Sequence, residues 1–176
     1  MSHRRPFLSS LATTVVLALL FASSAVAAPN HRTIQILDNC DPATFNEFLG
    51  PGACDRPGGG MKVETFVDQL FKGGAQSWRF SPEQAKVAAG GTVTAVNRGG
   101  EFHTFTRVAQ FGGGCVLELN VAVGGAAPVA ECADGSLFGT TGVPAGASLT
   151  TAPLSAGTHR FMCLIHPWQR TTITAD

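Results

Sequence analysis

The sequence predicts an all-β fold, an antiparallel sandwich or barrel, with a small helical extension before it. From Trp78 onward, short segments rich in Val, Thr and Phe are separated by glycine and proline turns, which is the spacing typical of such folds. Before Trp78, two segments show the spacing of helices. The predicted organisation is a signal peptide at residues 1–27, a disulfide-stapled strand and helix extension at 28–77, and a β domain at 78–176.

The first 27 residues have the pattern of an export signal. Arg4 and Arg5 provide a positive start, residues 11–21 form an apolar run too short to span a bilayer, and Ala25–Ala27 supplies a cleavage pattern. The stretch HRRPFL resembles a twin-arginine signal, and the general secretory route is the alternative. We therefore expect a periplasmic or secreted protein with no membrane span after cleavage.

Three elements are predicted in the extension. Residues 32–37, RTIQIL, alternate in the manner of a strand. Asp41 and Pro42 are typical of a helix start, and Gly50 is typical of its end. A second helix is predicted over residues 62–72, where apolar side chains recur at i, i+3, i+4 and i+7. We interpret that apolar stripe as core packing, and a groove for a partner is the alternative.

The strands predicted after Trp78 are AKVAAGG, TVTAVN, HTFTRV, CVLELNV, ASLTTAPL, HRFMCLI and TTITA. The glycine-rich runs FGGG and VGGAAP lack the lysine and serine of phosphate-binding loops, so they are interpreted as connections. Without residues 1–27 the chain has 149 residues, enough for one domain, and carries 10 basic and 12 acidic side chains. This balance shows no basic stripe, so a nucleic-acid partner is not expected.

The five cysteines are an odd number for an exported chain, in which cysteines usually pair. We predict two local disulfides, Cys40–Cys54 and Cys115–Cys132, although the sequence leaves other pairings open. Cys163 is then unpaired. A free thiol in an oxidising compartment is a liability unless something occupies it, and a metal ion would do so.

The segment around Cys163 predicts a metal site in a loop at a strand end. In CLIHPWQ, Cys163, His166 and Gln169 are each three residues apart. Phe161 and Cys163 share one face of the preceding strand. Pro167 cannot continue a strand, so the chain loops there and can bring the three side chains to one ion.

A second histidine ligand is needed, and His103 in GGEFHTF is the candidate. His159 lies four residues before Cys163, about 13 Å along an extended strand, which is too far. His31 lies near the mature N-terminus. Both are interpreted as surface or packing residues. Four histidines remain after cleavage, too few for a multicopper cluster.

The donor types favour copper. A thiolate with imidazoles selects copper, zinc or iron–sulfur chemistry. Iron–sulfur clusters need several cysteines, and structural zinc needs four strong Cys or His ligands. Two histidines and one thiolate with a weak axial ligand, for which glutamine is permitted, form a blue-copper arrangement. A buried structural thiol at Cys163 is the alternative.

Residues 78–176 resemble the cupredoxins, small blue copper proteins. The resemblance lies in WRFSPEQAKVAAGGTVTAVN, HTFT and CLIHPWQ, the last being similar to the short ligand loop of amicyanin. It implies a Greek-key β-sandwich and one type 1 copper ion per chain, with His103, Cys163 and His166 as equatorial ligands. Gln169 stands where the amicyanin-like pattern has methionine and resembles the axial glutamine of stellacyanin-like members. The amide oxygen is a harder ligand than a thioether, so a lower reduction potential is expected.

The resemblance also implies a function and a surface. The expected function is one-electron transfer to a redox protein partner, by a monomer that is not itself an enzyme. Thr104 is expected to hydrogen-bond across to the cysteine loop. Pro167 and Trp168 are expected to form an apolar patch for the partner, with docking led by shape because the net charge is small. The alternatives are a copper scavenger or delivery protein, and a sandwich without metal that serves as an interaction module.

Overall fold

The computed structural model describes residues 27–176. The predicted signal peptide therefore lies, except for Ala27, outside the described residues. The described strands are β1 His31–Leu37, β2 Arg79–Ser81, β3 Gln84–Val87, β4 Thr92–Asn97, β5 His103–Thr104, β6 Thr106–Val108, β7 Gly142–Val143, β8 Ser148–Thr150, β9 Gly157–Met162 and β10 Arg170–Ala175. The described helices are α1 Pro42–Leu49, α2 Val63–Leu70, α3 Leu117–Ala122 and α4 Leu137–Thr140, with a 3₁₀ turn at Ala130–Ala133.

Two four-stranded sheets form the body of the molecule. One has the order β2-β1-β4-β8 and the other β3-β10-β9-β6, while β5 and β7 form a short separate ribbon. One apolar cluster contains side chains from both sheets, among them Ile34 and Val93 of the first and Phe161 and Ile173 of the second. The sheets therefore pack face to face, and the predicted all-β sandwich is present.

The prediction of a purely antiparallel sandwich is wrong, because each large sheet contains one parallel pair. Strand β1 pairs in parallel with β4, and β3 pairs in parallel with β10. Alternation along a segment indicates that it is a strand but says nothing about its direction. Parallel neighbours require a long crossover connection. Here α1, α2, β2 and β3 lie between β1 and β4, and most of the β domain lies between β3 and β10.

The segment CVLELNV, predicted as a strand, is largely the helix α3. Leu119, Ala122 and Val123 have helical spacing and pack against the core of the N-terminal helices. The Asn120 side chain is buried, donates to Ala126 O and accepts from Gly114 N. Packing on another part of the chain therefore overrides the strand propensity of the valines.

The N-terminal segment contains the strand β1 and the helices α1 and α2. Asp41 caps α1 by accepting a hydrogen bond from the Thr44 N–H at 3.0 Å, and the chain leaves α1 at Gly50. Strand β1 lies between β2 and β4. The first sheet thus includes residues 31–37, and the two N-terminal helices lie in the connection that follows β1.

Both predicted disulfides are present, Cys40–Cys54 and Cys115–Cys132, and Cys163 is the free cysteine among the described residues. Cys40 and Cys54 lie in a second core together with Phe45, Phe66 and Trp78, whose rings contact one another. Residues 41–77, which contain α1 and α2, are called the helical segment below. The first disulfide links this segment to the end of β1. None of the helices within residues 27–176 is long and apolar enough to cross a membrane.

The helical segment contacts the predicted ligand loop through Trp168. Its ring packs against the second core, and its Nε1 donates to Ala75 O at 3.1 Å. Gly74 lies under this ring with φ 113°, and a Cβ there would approach the indole to 2.5 Å. Glycine is required at this position for both reasons.

We expect Gly74→Ala to destabilise the protein more than Gly73→Ala. Both residues have positive φ, but a Cβ on Gly73 would meet nothing within 4 Å. The left-handed backbone costs each variant about 1 to 2 kcal/mol. Gly74→Ala adds about 1 to 3 kcal/mol because Trp168 must move. Equilibrium unfolding in denaturant measures both values, and equal losses would contradict the packing of Trp168 on Gly74.

Candidate metal centre

The candidate centre lies where several strands end. Cys163 directly follows β9, Gln169 directly precedes β10, and His103 begins β5. His166 lies in the loop between β9 and β10. The backbone closes this loop through the Cys163 N–H, which donates to Gln169 O at 3.1 Å, and the Gln169 N–H, which donates to His166 O at 2.9 Å. The ends of β9 and β10 thus hold the short loop that carries these side chains.

The three strongest predicted donors come together. Cys163 Sγ is 3.8 Å from His103 Nδ1 and 3.7 Å from His166 Nδ1, and all three residues are buried. An ion about 2.3 Å from a thiolate sulfur and about 2.0 Å from an imidazole nitrogen separates the two by about 3.5 to 3.7 Å at angles of roughly 110° to 120°. The donor spacing therefore fits a first-row transition-metal ion.

His103 is oriented by a buried aspartate. Its Nε2 lies 2.8 Å from Asp38 Oδ2, and both side chains are fully buried. With the hydrogen on Nε2 donated to the carboxylate, Nδ1 is the nitrogen directed at Cys163. A carboxylate in this position fixes the ring and raises its strength as a metal ligand.

Asp38 is held as an anion by a ring of donors. Burial opposes its ionisation, but the hydrogen bond and charge of His103 and the N–H groups of Gly100 and Glu101 lower its pKa to about 2. The Cys40 N–H also donates to Oδ1 at 3.3 Å. Gly99 approaches the carboxylate so closely that a Cβ there would collide with Oδ2.

The pKa of His103 responds to the same neighbours. Burial lowers it, but Asp38 and the Cys163 sulfur raise it more, to about 10. Without metal, the imidazole is therefore protonated on both nitrogens. A bound ion would replace the Nδ1 proton while Asp38 keeps its hydrogen bond to Nε2.

His166 has a similar arrangement with a second buried carboxylate. Its Nδ1 faces Cys163, and its Nε2 lies 3.6 Å from Glu101 Oε2. The Trp78 indole N–H donates to the same oxygen. Burial raises the pKa of Glu101, against the lowering effects of His166 and Trp78. Both imidazoles thus present Nδ1 to the sulfur and Nε2 to a carboxyl group.

The Cys163 sulfur is favoured as a thiolate. Burial raises its pKa, but His103 and His166 lower it well below its usual value. The Thr104 N–H also donates to the sulfur at 3.4 Å. Thr104 Oγ1 accepts a hydrogen bond from the Leu164 N–H at 2.8 Å. Thr104 therefore does contact the cysteine loop, and it does so through both its backbone and its hydroxyl.

Gln169 is fully buried, and its amide is only half satisfied. Nε2 donates to Leu37 O at 3.0 Å, whereas Oε1 has no hydrogen-bond partner among the described residues. A buried carbonyl oxygen without a donor is unfavourable. An axial interaction with a metal ion would satisfy it, so this oxygen is consistent with the predicted ligand role.

The remaining predicted residues lie in different settings. Pro167 is buried and Trp168 is half-buried against the helical segment. His166 is 3% exposed, with the rings of Trp168 and Phe66 centred 5.3 and 6.4 Å from its own. The histidine edge is therefore covered. His159, also buried, bonds Ser155 O through Nε2 and lies away from the donors.

Asp38 and Glu101 are the residues that the sequence analysis missed. For each of them, the two-residue alternation of side chains along a strand is a signal that could have identified it. Asp38 continues the inward face of β1 after the buried Ile34 and Ile36. Glu101 precedes His103 by two residues and is buried like it. A charged residue in phase with an inward apolar face indicates a buried polar contact.

Comparison with models of protein families finds no match, and comparison with curated proteins finds none. The chain is similar to solved cupredoxin structures. For a purple cupredoxin from Nitrosopumilus maritimus the identity is 16% and the TM-score 0.37, covering 58% of this chain and 86% of that chain. For amicyanin from Paracoccus versutus the identity is 14% and the TM-score 0.37, covering 58% and 76%. For an oxidised mutant of amicyanin the identity is 20% and the TM-score 0.37, and the match covers 56% of this chain and 73% of that chain.

We expect Asp38→Asn to weaken metal binding about 10- to 100-fold, the usual effect of losing a hydrogen-bonding partner of a metal ligand. Two donors meet each oxygen of Asp38, so in asparagine two of the four donors face its NH₂ group. The measurement is Cu(I) affinity by competition with a colorimetric chelator.

The matched control is Asp134→Asn, which changes an aspartate whose side chain accepts from Ser136 N–H and Oγ. Its affinity is expected to equal that of the unchanged protein. If Asp38→Asn is folded by circular dichroism and binds Cu(I) with unchanged affinity, Asp38 does not orient His103 for metal binding.

Proposed function

We propose that this chain is an exported one-electron carrier with a single type 1 copper ion. His103, Cys163 and His166 would be its equatorial ligands and Gln169 its axial ligand. The observation that carries the proposal is the buried cluster of donors, in which one atom from each of the two histidines and the cysteine lies within 4.8 Å of the others. This donor set suits copper better than structural zinc or an iron–sulfur cluster.

Copper would supply a reversible Cu(II)/Cu(I) couple at this position. The protein contributes ligands that are already oriented. The Asp38 carboxylate holds the His103 ring, the Thr104 N–H donates to the sulfur, and the Gln169 amide is fixed by Leu37 O. Because strand ends carry these ligands, they change position little between the two charge states, which favours fast electron transfer.

Buried charges favour the oxidised ion. The Cys163 thiolate and the Asp38 carboxylate are both fully buried, and together they balance a divalent cation. A monovalent ion would leave one negative charge uncompensated in a region of low dielectric. The Gln169 amide oxygen acts in the same direction as a hard ligand. A low reduction potential is therefore expected.

Two features bear on compartment and role. Two disulfides are formed within residues 27–176, which accords with an oxidising compartment and hence with export. All four proposed ligands are at most 3% exposed. A delivery protein needs accessible ligands through which the ion passes to an acceptor, so burial favours the carrier over the delivery protein.

The proposed site is tested by adding Cu(II) to the unchanged protein and to Gln169→Met. The unchanged protein is expected to show a strong thiolate-to-copper band in the visible range and a narrow copper hyperfine splitting. Gln169→Met is expected to raise the reduction potential by about 60 mV or more, which corresponds to a tenfold change in relative affinity for the two ions. Cys163→Ser is the control and is expected to be colourless. An unchanged protein without colour, or without a reversible one-electron couple, would contradict the proposal.

Chelator exchange distinguishes the carrier from the delivery protein. Buried ligands are expected to retain Cu(I) for hours in the presence of excess chelator, because release requires local opening of the loop. Gly74→Ala, which disturbs Trp168 over this loop, is expected to release Cu(I) faster. Complete release from the unchanged protein within seconds would favour delivery.

A further inference from the structure

An apolar groove lies on the helical side of the molecule, next to the candidate metal centre. Helices α1, α2 and α3 form its walls, and its volume is about 640 Å³. This volume falls within the range of small-molecule sites, about 300 to 1,000 Å³. The apolar stripe of α2, for which a groove for a partner is the alternative interpretation from sequence, lines this groove together with α3.

The walls of the groove are aromatic and aliphatic. Phe66 and Val67 line it from α2, Leu119 and Ala122 line it from α3, and Phe102 lines it next to Glu101 in the chain. Around the groove, Phe48 and Phe71 expose 67% and 72% of their surface. Large apolar side chains left in water next to a concave apolar surface indicate a binding site.

Two mostly buried polar side chains lie within the apolar lining of the groove. Glu101 and His166 line it, with 8% and 4% of their side chains exposed. Glu101 Oε2 already contacts the Trp78 indole N–H and His166 Nε2. Its other oxygen, Oε1, has no hydrogen-bond partner among the described residues. A residue that lines the groove therefore carries one carboxyl oxygen that is free to accept or donate a hydrogen bond.

We propose that this groove binds a planar aromatic small molecule that carries a hydroxyl group, a compound of the phenol or naphthol class. The ring lies between the walls formed by α2 and α3, and the hydroxyl hydrogen-bonds Glu101 Oε1. A hydroxyl both donates and accepts, so this recognition holds for either protonation state of Glu101.

The lining of the groove favours this occupant. It is apolar except for Glu101, Glu118 and His166, so an aromatic ring with one polar atom matches it.

The test uses the metal-free protein, so that it does not depend on the proposed copper site. 1-Naphthol is titrated by fluorescence and calorimetry, with naphthalene as the probe that lacks the hydroxyl. We expect 1-naphthol to bind saturably with one site per chain, at least about tenfold more tightly than naphthalene, because the free oxygen of Glu101 gains a partner.

Two matched variants locate the site. Ala122→Trp fills the groove and is expected to weaken 1-naphthol binding at least tenfold. Val121→Trp, on the same helix but 62% exposed and outside the lining, is expected to leave it unchanged. If Ala122→Trp does not fold, Val67→Trp fills the groove from α2. In folded variants the Cu(II) spectrum is expected to match that of the unchanged protein, so loss of naphthol binding is separable from loss of the metal site.

Four results would overturn the proposal. They are the absence of saturable binding, equal affinity for 1-naphthol and naphthalene, full binding by a folded groove-filling variant, and sedimentation showing a dimer that Ala122→Trp dissociates. The last result would assign the groove to a second copy of the chain.

Discussion

The geometry of the candidate centre depends on the buried carboxylate of Asp38. It accepts hydrogen bonds from the N–H groups of Cys40, Gly100 and Glu101 and from His103 Nε2. A buried anion is unfavourable unless such donors surround it. Its presence therefore couples the end of β1, the first disulfide, the loop between β4 and β5, and one proposed ligand into a single unit.

The helical segment covers the candidate centre. Phe66 and Trp168 enclose the His166 ring, and Glu101 occupies the space beside its Nε2. Solvent is thereby excluded from an imidazole at the edge of the centre, which strengthens the electrostatic contacts there. The same helices leave an apolar groove beside the cover. A segment whose apolar stripe is interpreted from sequence as core packing thus also determines the environment of the centre.

The parts of this protein that could be predicted from sequence are those set by near neighbours in the chain. Helix α1 follows from Asp41 and Pro42 at its start, and the loop of Cys163 and His166 follows from their spacing and from Pro167. Helix α3 could not be predicted from its valines and leucines, because its conformation results from packing on the N-terminal helices. Asp38 is 65 residues away from His103, and no local pattern connects them.

The sequence by itself determined the β character of residues 78–176 and the odd number of cysteines, and it favoured the two local disulfides and the cysteine and histidine donors, since alternation, cysteine parity and ligand spacing are short-range properties. Only the tertiary structure decided the direction of the strand pairs, the carboxyl groups behind the two imidazoles and the burial of His166. The physical reason is that hydrogen bonds between distant residues and the exclusion of water depend on how the whole chain packs. The pairing of β1 with β4 brings Asp38 to the loop that carries His103, and α2 closes over His166.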